Sequence, residues 1–184
     1  MFDLAAHTRS LIEERRTEVV VIGRDRAEPR NARYFEDFAA GDLYEHPAGR
    51  TVRAADNWQF NRLTRSPALV DFAGGVTAKP LVHPTLTLAI VTGQSAMSMH
   101  LLANLAWERV DVAHPVCEGD TIYSRSTVLG RRPSMSRPEA GIVRLRTEGY
   151  NQHGVVVVRL ECSAMVCWRG TRPDRAHSAV AEPA

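Results

Sequence analysis

The sequence predicts an α+β domain in which an antiparallel sheet curves around one long buried helix. Two observations support this fold class. From Pro84 to about His100 the chain is apolar on nearly every face of a helix, which requires a cover of other structure. From Leu101 onward it consists of long β-like runs separated by turn signals. In the last run apolar residues alternate from Val156 to Trp168, as on a strand with one dry face.

The chain divides into three parts. Residues 1–32 are interpreted as an N-terminal extension, residues 33–170 as one compact domain, and residues 171–184 as a tail with the composition of a disordered terminus. A length of 184 residues suits a single domain with a sizeable core.

The elements of the domain follow from local signals. "YFEDFAAGDLYEHPAGRTV" predicts an entering loop and one strand, and "RAADNWQFNRLT" predicts a short helix over Arg53 to Thr64. Pro84 suits the first turn of the central helix, where its missing N–H is not needed. Four strands are predicted in "LAWERVDVAHPV", "DTIYSRSTVLGR", "AGIVRLRTEGYN" and "GVVVVRLECSAMVCWRG", with "NQHG" as a hairpin turn.

Composition excludes several functional classes. The formal net charge of +2 is too small to indicate a nucleic-acid partner, and no apolar run approaches the roughly 18 residues that span a membrane. Cys117, Cys162 and Cys167 lack zinc-site spacing and favour a reduced, cytoplasmic location. The scattered histidines indicate no metal site, and no glycine-rich phosphate loop indicates a cofactor. Water is the only co-reactant expected.

Several motifs carry a resemblance to a known family. "YFEDFAAGD", "GRTV" before a helix, "LVHPTLTLAI" and "HPVCEGDTIYSRSTVLG" resemble the MaoC-like, (R)-specific enoyl-CoA hydratase/dehydratase family over about residues 33–170. "VTGQS", "ANLAW" and "AMVCW" are most similar to its branch that hydrates itaconyl- and mesaconyl-CoA. The resemblance implies a hot-dog fold, in which an antiparallel sheet wraps a central helix, and a thioester substrate.

The resemblance also implies a site. Family members use an Asp or Asn and, five residues later, a His for the water and the α-carbon proton, with a backbone N–H at the start of the central helix for the thioester oxygen. In the matching stretch, "TRSPALVDF", Pro67 and Asp71 fit, but Leu69 stands in place of the histidine. Pro84 replaces the usual glycine and has no N–H to donate. The pattern is therefore poor for an ordinary hydratase.

Two residues remain as catalytic candidates. Asp71 is the only carboxylate between Asp56 and Glu108, so it is the predicted acid/base group, although it can equally order its loop. His83 precedes the central helix and is the predicted helper, with a structural hydrogen bond as the alternative role.

The predicted substrate-binding residues are Arg65, Ser66 and Asn104. Arg65 can face a substrate carboxylate or lie in solvent, Ser66 can bind a water, and Asn104 can point to the pocket or satisfy backbone groups. The loop "RRPSMSRP" is basic enough to contact CoA phosphates. His46 and His114 precede prolines in loop-like sequence and are expected to be exposed.

Three functions fit these observations. The first is a hydratase/dehydratase acting on an enoyl or 3-hydroxyacyl thioester of CoA or acyl-carrier protein, with a branched or dicarboxylic acyl group. The second is a non-catalytic hot-dog subunit that binds an acyl thioester or completes the tunnel of a partner. The third is a thioesterase on the same fold. In each case we expect a homodimer or heterodimer formed through the hot-dog sheet.

Overall fold

The structure, a computed structural model, describes residues 32–66 and 79–171. The N-terminal extension, except for its last residue, the tail beyond residue 171 and the stretch that contains Asp71 lie outside these ranges. Their predictions therefore remain predictions.

The described chain forms one five-stranded antiparallel sheet with two helices. The strand order is β1-β3-β4-β5-β2, so β1 and β2 are the edges of the sheet. The elements in chain order are a 3₁₀ turn at Phe35–Asp37, β1 (Leu43–Thr51), α1 (Ala54–Thr64), α2 (Pro84–Ala96), β2 (Leu101–Val112), β3 (Thr121–Pro133), β4 (Ala140–Tyr150) and β5 (Val156–Cys167). This is the predicted hot-dog arrangement, with α2 as the central helix.

The two helices begin where the sequence signals placed them. Pro84 is the first residue of α2, and α1 starts at Ala54, one residue after its expected start. The helix α2 ends at Ala96, earlier than expected, because the following residues turn into β2. The "NQHG" turn forms as predicted, since Gly154 N donates to Asn151 O over 2.9 Å and Gly154 adopts a φ of 76°.

Close packing holds α2 against the sheet. Val91 is fully buried and contacts the strands at Gly149, where any side chain would overlap its methyl group. Gln94 adds two hydrogen bonds from its amide nitrogen, to the carbonyl oxygens of Ala48 and Ile122, each 2.9 Å long. Because these bonds reach β1 and β3, they fix the helix relative to the sheet.

The buried face of α2 differs from the apolar helix that the sequence suggested. The buried residues, spaced along one face, are Thr87, Val91, Gln94 and Ser95. Most of this face is polar, and apolar residues such as Leu88 and Ile90 are only half-buried. The sheet of this chain covers one side of α2 and leaves the opposite side partly open.

Two of the three cysteines lie inside the sheet. Cys162 and Cys167 are buried in β5 and form no disulfide among the described residues, and burial raises the pKa of Cys162 to about 11, as expected of a structural residue. Within the two described ranges, neither helix has the length and apolar character needed to cross a membrane.

Candidate functional site

The start of α2 is tied to α1 by one buried amide. The side-chain nitrogen of Asn57 donates to Leu81 O over 2.9 Å and to Glu118 Oε1 over 3.0 Å, while its oxygen accepts from His83 N over 3.0 Å. Asn57 is 1% exposed, so these bonds are shielded from water. Sequence reasoning missed Asn57; its only signal was an amide within the predicted helix.

His83 caps the N-terminus of α2. Its Nδ1 accepts a hydrogen bond from Thr85 N over 3.2 Å, and its ring lies against Phe60 of α1 at a centroid distance of 5.2 Å. Because Nδ1 is the acceptor, the neutral ring carries its hydrogen on Nε2. The structure thus gives His83 the structural bond that was the alternative prediction, and leaves Nε2 for any further role.

The first turn of α2 has no N–H left for a thioester oxygen. His83 N donates to Asn57, Pro84 has no hydrogen, and Thr85 N donates to His83 Nδ1. The next two amides, of Leu86 and Thr87, donate to His83 O over 2.9 and 3.3 Å. From Pro84 we predicted that one backbone N–H donor would be missing. In the structure no N–H group of the first turn is available to a thioester oxygen.

An apolar pocket opens beside this turn, and we call it the α2 pocket. Its volume is about 210 Å³. It is lined by Leu81, Val82, Pro84, Thr87, Val112, Ala113, His114, Pro115, Val116, Val157 and Val158. Two of these residues, Thr87 and His114, have polar side chains. Thr87 is 4% exposed, and its buried hydroxyl has no hydrogen-bond partner in the described part of the chain.

The predicted substrate-binding residues, all of which are described, do not line this pocket. Arg65 is exposed at the C-terminus of α1, where its φ is 50°, and Ser66 follows it half-buried. Asn104 is exposed on β2 and lines a different cavity of about 10 Å³, with room for no more than one water. That cavity adjoins the last turn of α2, about 14 Å from the first turn along the helix axis. Asp71 lies outside the described residues.

His46 belongs to a buried polar group that we call the His46 cluster, and the expectation that it is exposed was wrong. It is 4% exposed, with Nδ1 2.7 Å from Ser98 Oγ and Nε2 2.8 Å from Ser126 Oγ. Ser126 Oγ also lies 2.8 Å from Thr147 Oγ1 and 3.3 Å from Ser95 Oγ. Burial, and secondarily the charge of Arg33, lower the pKa of His46 to about 4. His46 is therefore neutral near pH 7.

The basic loop between β3 and β4 lies at the opposite end of α2 from the pocket. Trp168 N donates to Glu139 O in this loop, and the neighbouring Cys167 N donates to His100 O, just past α2. Arginines in this loop therefore do not border the α2 pocket. Among the described residues no group of three or more His, Cys, Asp and Glu side chains is arranged to hold a metal ion.

The sequence is similar to those of known CoA hydratases and dehydratases. The sequence profile of the mesaconyl-CoA hydratase family matches residues 15–178. The mesaconyl-CoA hydratase of Cereibacter sphaeroides is 31% identical over 147 residues, which are 76% of this chain and 42% of that protein. The mesaconyl-CoA hydratase of Haloarcula hispanica is 34% identical over 134 residues, 68% of this chain and 37% of that protein. The beta-methylmalyl-CoA dehydratase of Chloroflexus aurantiacus is 27% identical over 61% of this chain and 34% of its own length.

Solved structures give the same fold. A MaoC-like dehydratase from Rhodospirillum rubrum superimposes with a TM-score of 0.62 at 27% identity and covers 75% of this chain and 99% of its own. A Mycobacterium tuberculosis protein described as a double hot-dog fold has a TM-score of 0.67 at 24% identity, over 78% of this chain and 46% of its own. The chain thus spans less than half the length of the curated relatives that it matches.

Proposed function

Because the chain belongs to the mesaconyl-CoA hydratase family, we propose that it adds water to a branched enoyl-CoA thioester or removes water from the matching 3-hydroxyacyl-CoA. The family match over residues 15–178 carries this proposal. The relatives named mesaconyl-CoA hydratase and beta-methylmalyl-CoA dehydratase support a hydro-lyase reaction on a branched acyl group.

The α2 pocket supports a short acyl group as the part of the substrate that enters the protein. Its volume of about 210 Å³ exceeds the roughly 150 Å³ of a cavity that holds benzene. Its described lining contains no Arg or Lys. A free carboxylate buried there would have no arginine or lysine partner in the described lining, which is costly. We therefore propose a branched, uncharged acyl group in preference to a dicarboxylic one within this pocket.

Asp71 and His83 keep their proposed roles as acid/base group and helper. The test is the loss of enoyl-thioester absorbance with crotonyl-, mesaconyl- and itaconyl-CoA, in wild type and Asp71→Asn. If Asp71 is the acid/base group, wild type should turn over the substrate and the variant should be slower by about 10²–10⁴, the usual cost of losing such a group. Equal rates would remove Asp71 from the mechanism, and absence of turnover by wild type on all three thioesters would overturn the proposed function.

A second candidate is a non-catalytic unit that binds acyl-CoA beside an active partner. The observation that favours it is the first turn of α2, where every described N–H already has an acceptor or is absent. This candidate predicts that wild type binds crotonyl-CoA in calorimetry without consuming it. It also predicts turnover only after a hot-dog chain with an intact Asp and His pair is added.

The surface of β2 supports pairing with another hot-dog unit. As an edge strand, β2 is bonded to β5 on one side alone, which leaves a row of backbone groups for another strand. Its exposed apolar side chains are Leu105, Trp107, Val110 and Val112. Such a patch is typical of an interface. We propose a homodimer or heterodimer through this edge, testable by the loss of dimer in sedimentation of Trp107→Glu.

A further inference from the structure

The wall of the α2 pocket opposite the helix is a fixed segment that carries His114. The backbone nitrogens of Ala113 and His114 both donate to Val157 O, over 2.9 and 3.3 Å. On its other side the segment is joined to the start of α2, because Val82 N donates to Val116 O over 2.8 Å. His114 is therefore held between β5 and the helix that opens the pocket.

The ring of His114 has a defined tautomer. Its Nδ1 lies 2.8 Å from Pro115 O, and a carbonyl oxygen can only accept, so Nδ1 carries the hydrogen. The neutral ring then presents an unprotonated Nε2. His114 is exposed, and it is the one titratable side chain in the described pocket lining. Nε2 can therefore take a proton from a molecule bound at the pocket mouth.

Thr87 supplies an independent indication of a ligand. Its hydroxyl is buried and has no partner among the described residues, an arrangement that is destabilising unless another group completes the bond. Thr87 lies one turn along α2 from His83 and lines the same pocket as His114. Because the N–H groups of the first turn are used, the Thr87 hydroxyl is the hydrogen-bond donor that α2 contributes to the described pocket lining.

As an alternative to proton transfer by Asp71, we propose that His114 Nε2 transfers the proton during hydration and that the Thr87 hydroxyl donates to the thioester oxygen. This assignment rests on the proposed hydro-lyase function. The imidazole of His114, in the segment after β2, would then replace the histidine of the family motif. In this sequence Leu69 occupies the position of that histidine. The arrangement needs no N–H from residue 84.

The step balances without a further reactant. His114 Nε2 takes one proton from water as the water oxygen bonds to C3 of the enoyl group. The C2=C3 electron pair moves toward the carbonyl, whose oxygen gains negative charge and accepts from Thr87. The imidazolium then returns the proton to C2 as the carbonyl re-forms. The product has gained H at C2 and OH at C3, and His114 ends as it began.

The decisive variant is His114→Asn. Its amide nitrogen can keep the bond to Pro115 O, while Nε2 is removed. With crotonyl-CoA we expect kcat to fall by about 10²–10⁴-fold with KM little changed and thermal stability retained. The matched control is His153→Gln, an exposed histidine in the turn between β4 and β5 that does not line the pocket; it should match wild type.

A second variant separates chemistry from structure. In His114→Ala, added imidazole should restore part of the lost rate, which a purely structural role would not allow. Wild-type kcat in His114→Asn would overturn the assignment and leave the proposed hydratase function standing. Absence of turnover by wild type on crotonyl-, mesaconyl- and itaconyl-CoA would overturn both.

Discussion

Two histidines that each precede a proline, His46 and His114, lie at opposite ends of α2 and in opposite surroundings. Both ring nitrogens of His46 face serine hydroxyls, and the ring is 4% exposed. His114 uses Nδ1 for Pro115 O and is exposed at the α2 pocket, with Nε2 not bonded to any described residue. The hydrogen bonding of Nε2 distinguishes the two residues. In His46 it has a partner and the ring stabilises the fold, whereas in His114 it is available for chemistry.

The same contrast applies to the hydroxyl groups at the two ends. In the His46 cluster, Ser126 Oγ contacts His46, Thr147 and Ser95, so its hydrogen-bonding capacity is used within the protein. In the α2 pocket, the Thr87 hydroxyl has no described partner. We therefore expect substitutions in the pocket to change turnover, and substitutions in the cluster to change the free energy of unfolding.

Among the further substitutions that test this contrast, Thr87→Val has the largest expected effect. If the hydroxyl holds the thioester oxygen, kcat/KM should fall by about 10²–10³-fold. Stability should not fall, because a buried hydroxyl without a partner is replaced by a methyl group of similar shape. Initial rates with crotonyl-CoA and urea unfolding of the same samples measure both quantities.

Thr92→Val is the control on the same helix. The Thr92 hydroxyl donates to Leu88 O over 3.0 Å and is half-buried, so its bonding is already complete. Unchanged turnover in this variant and a loss in Thr87→Val would sharpen the contrast. A loss of stability alone in Thr87→Val would assign Thr87 to packing.

Acidification should weaken the fold through the His46 cluster. The pKa of His46 is about 4 in the folded protein, because of burial and then Arg33, with Glu45 opposing, against about 6.5 when unfolded. Between these values the unfolded chain binds more protons, so stability is complete above about pH 6.5 and falls as the pH decreases toward 4. At about 1.4 kcal/mol per pKa unit, the loss over the whole interval is on the order of 3–4 kcal/mol.

Urea unfolding at several pH values between 7 and 5 measures this effect. In this range the carboxylates do not yet change the free energy of unfolding. Asp37, Glu148 and Glu161 have lowered pKa values, mainly through a backbone or arginine hydrogen bond to each, so their stabilisation is lost below about pH 4.5. His46→Phe should remove the slope between pH 7 and 5. The same slope in this variant would place the titrating group elsewhere.

Local signals predicted most of the fold. Pro84 marked the start of α2, and alternation from Val156 to Trp168 marked β5, because both depend on neighbours in sequence. The buried face of α2 was not predictable, since Thr87, Gln94 and Ser95 on that face weaken the periodic signal. Their burial depends on how the sheet curves around the helix.

The candidate site was predicted less well, because its contacts join distant parts of the chain. Asn57 meets His83 and Glu118 across 26 and 61 positions, and His46 meets Ser126 across 80. The sequence patterns around His46 and His114 are alike, and each residue precedes a proline. Only the packed structure shows which of them is enclosed. The roles of Asp71, Arg65, Ser66 and Asn104 remain predictions.

The smallest expected effect is that of Ser98→Ala in the His46 cluster. It removes the partner 2.7 Å from His46 Nδ1 and leaves the contact with Ser126 in place. Because Ser98 is half-buried, water can replace part of the lost bond, so we expect a loss of about 1 kcal/mol in urea unfolding. Turnover per folded molecule should equal that of wild type. A lower kcat with an unchanged free energy of unfolding would show that the two ends of α2 are coupled. The distinction between His46 as a structural histidine and His114 as a catalytic one would then be wrong.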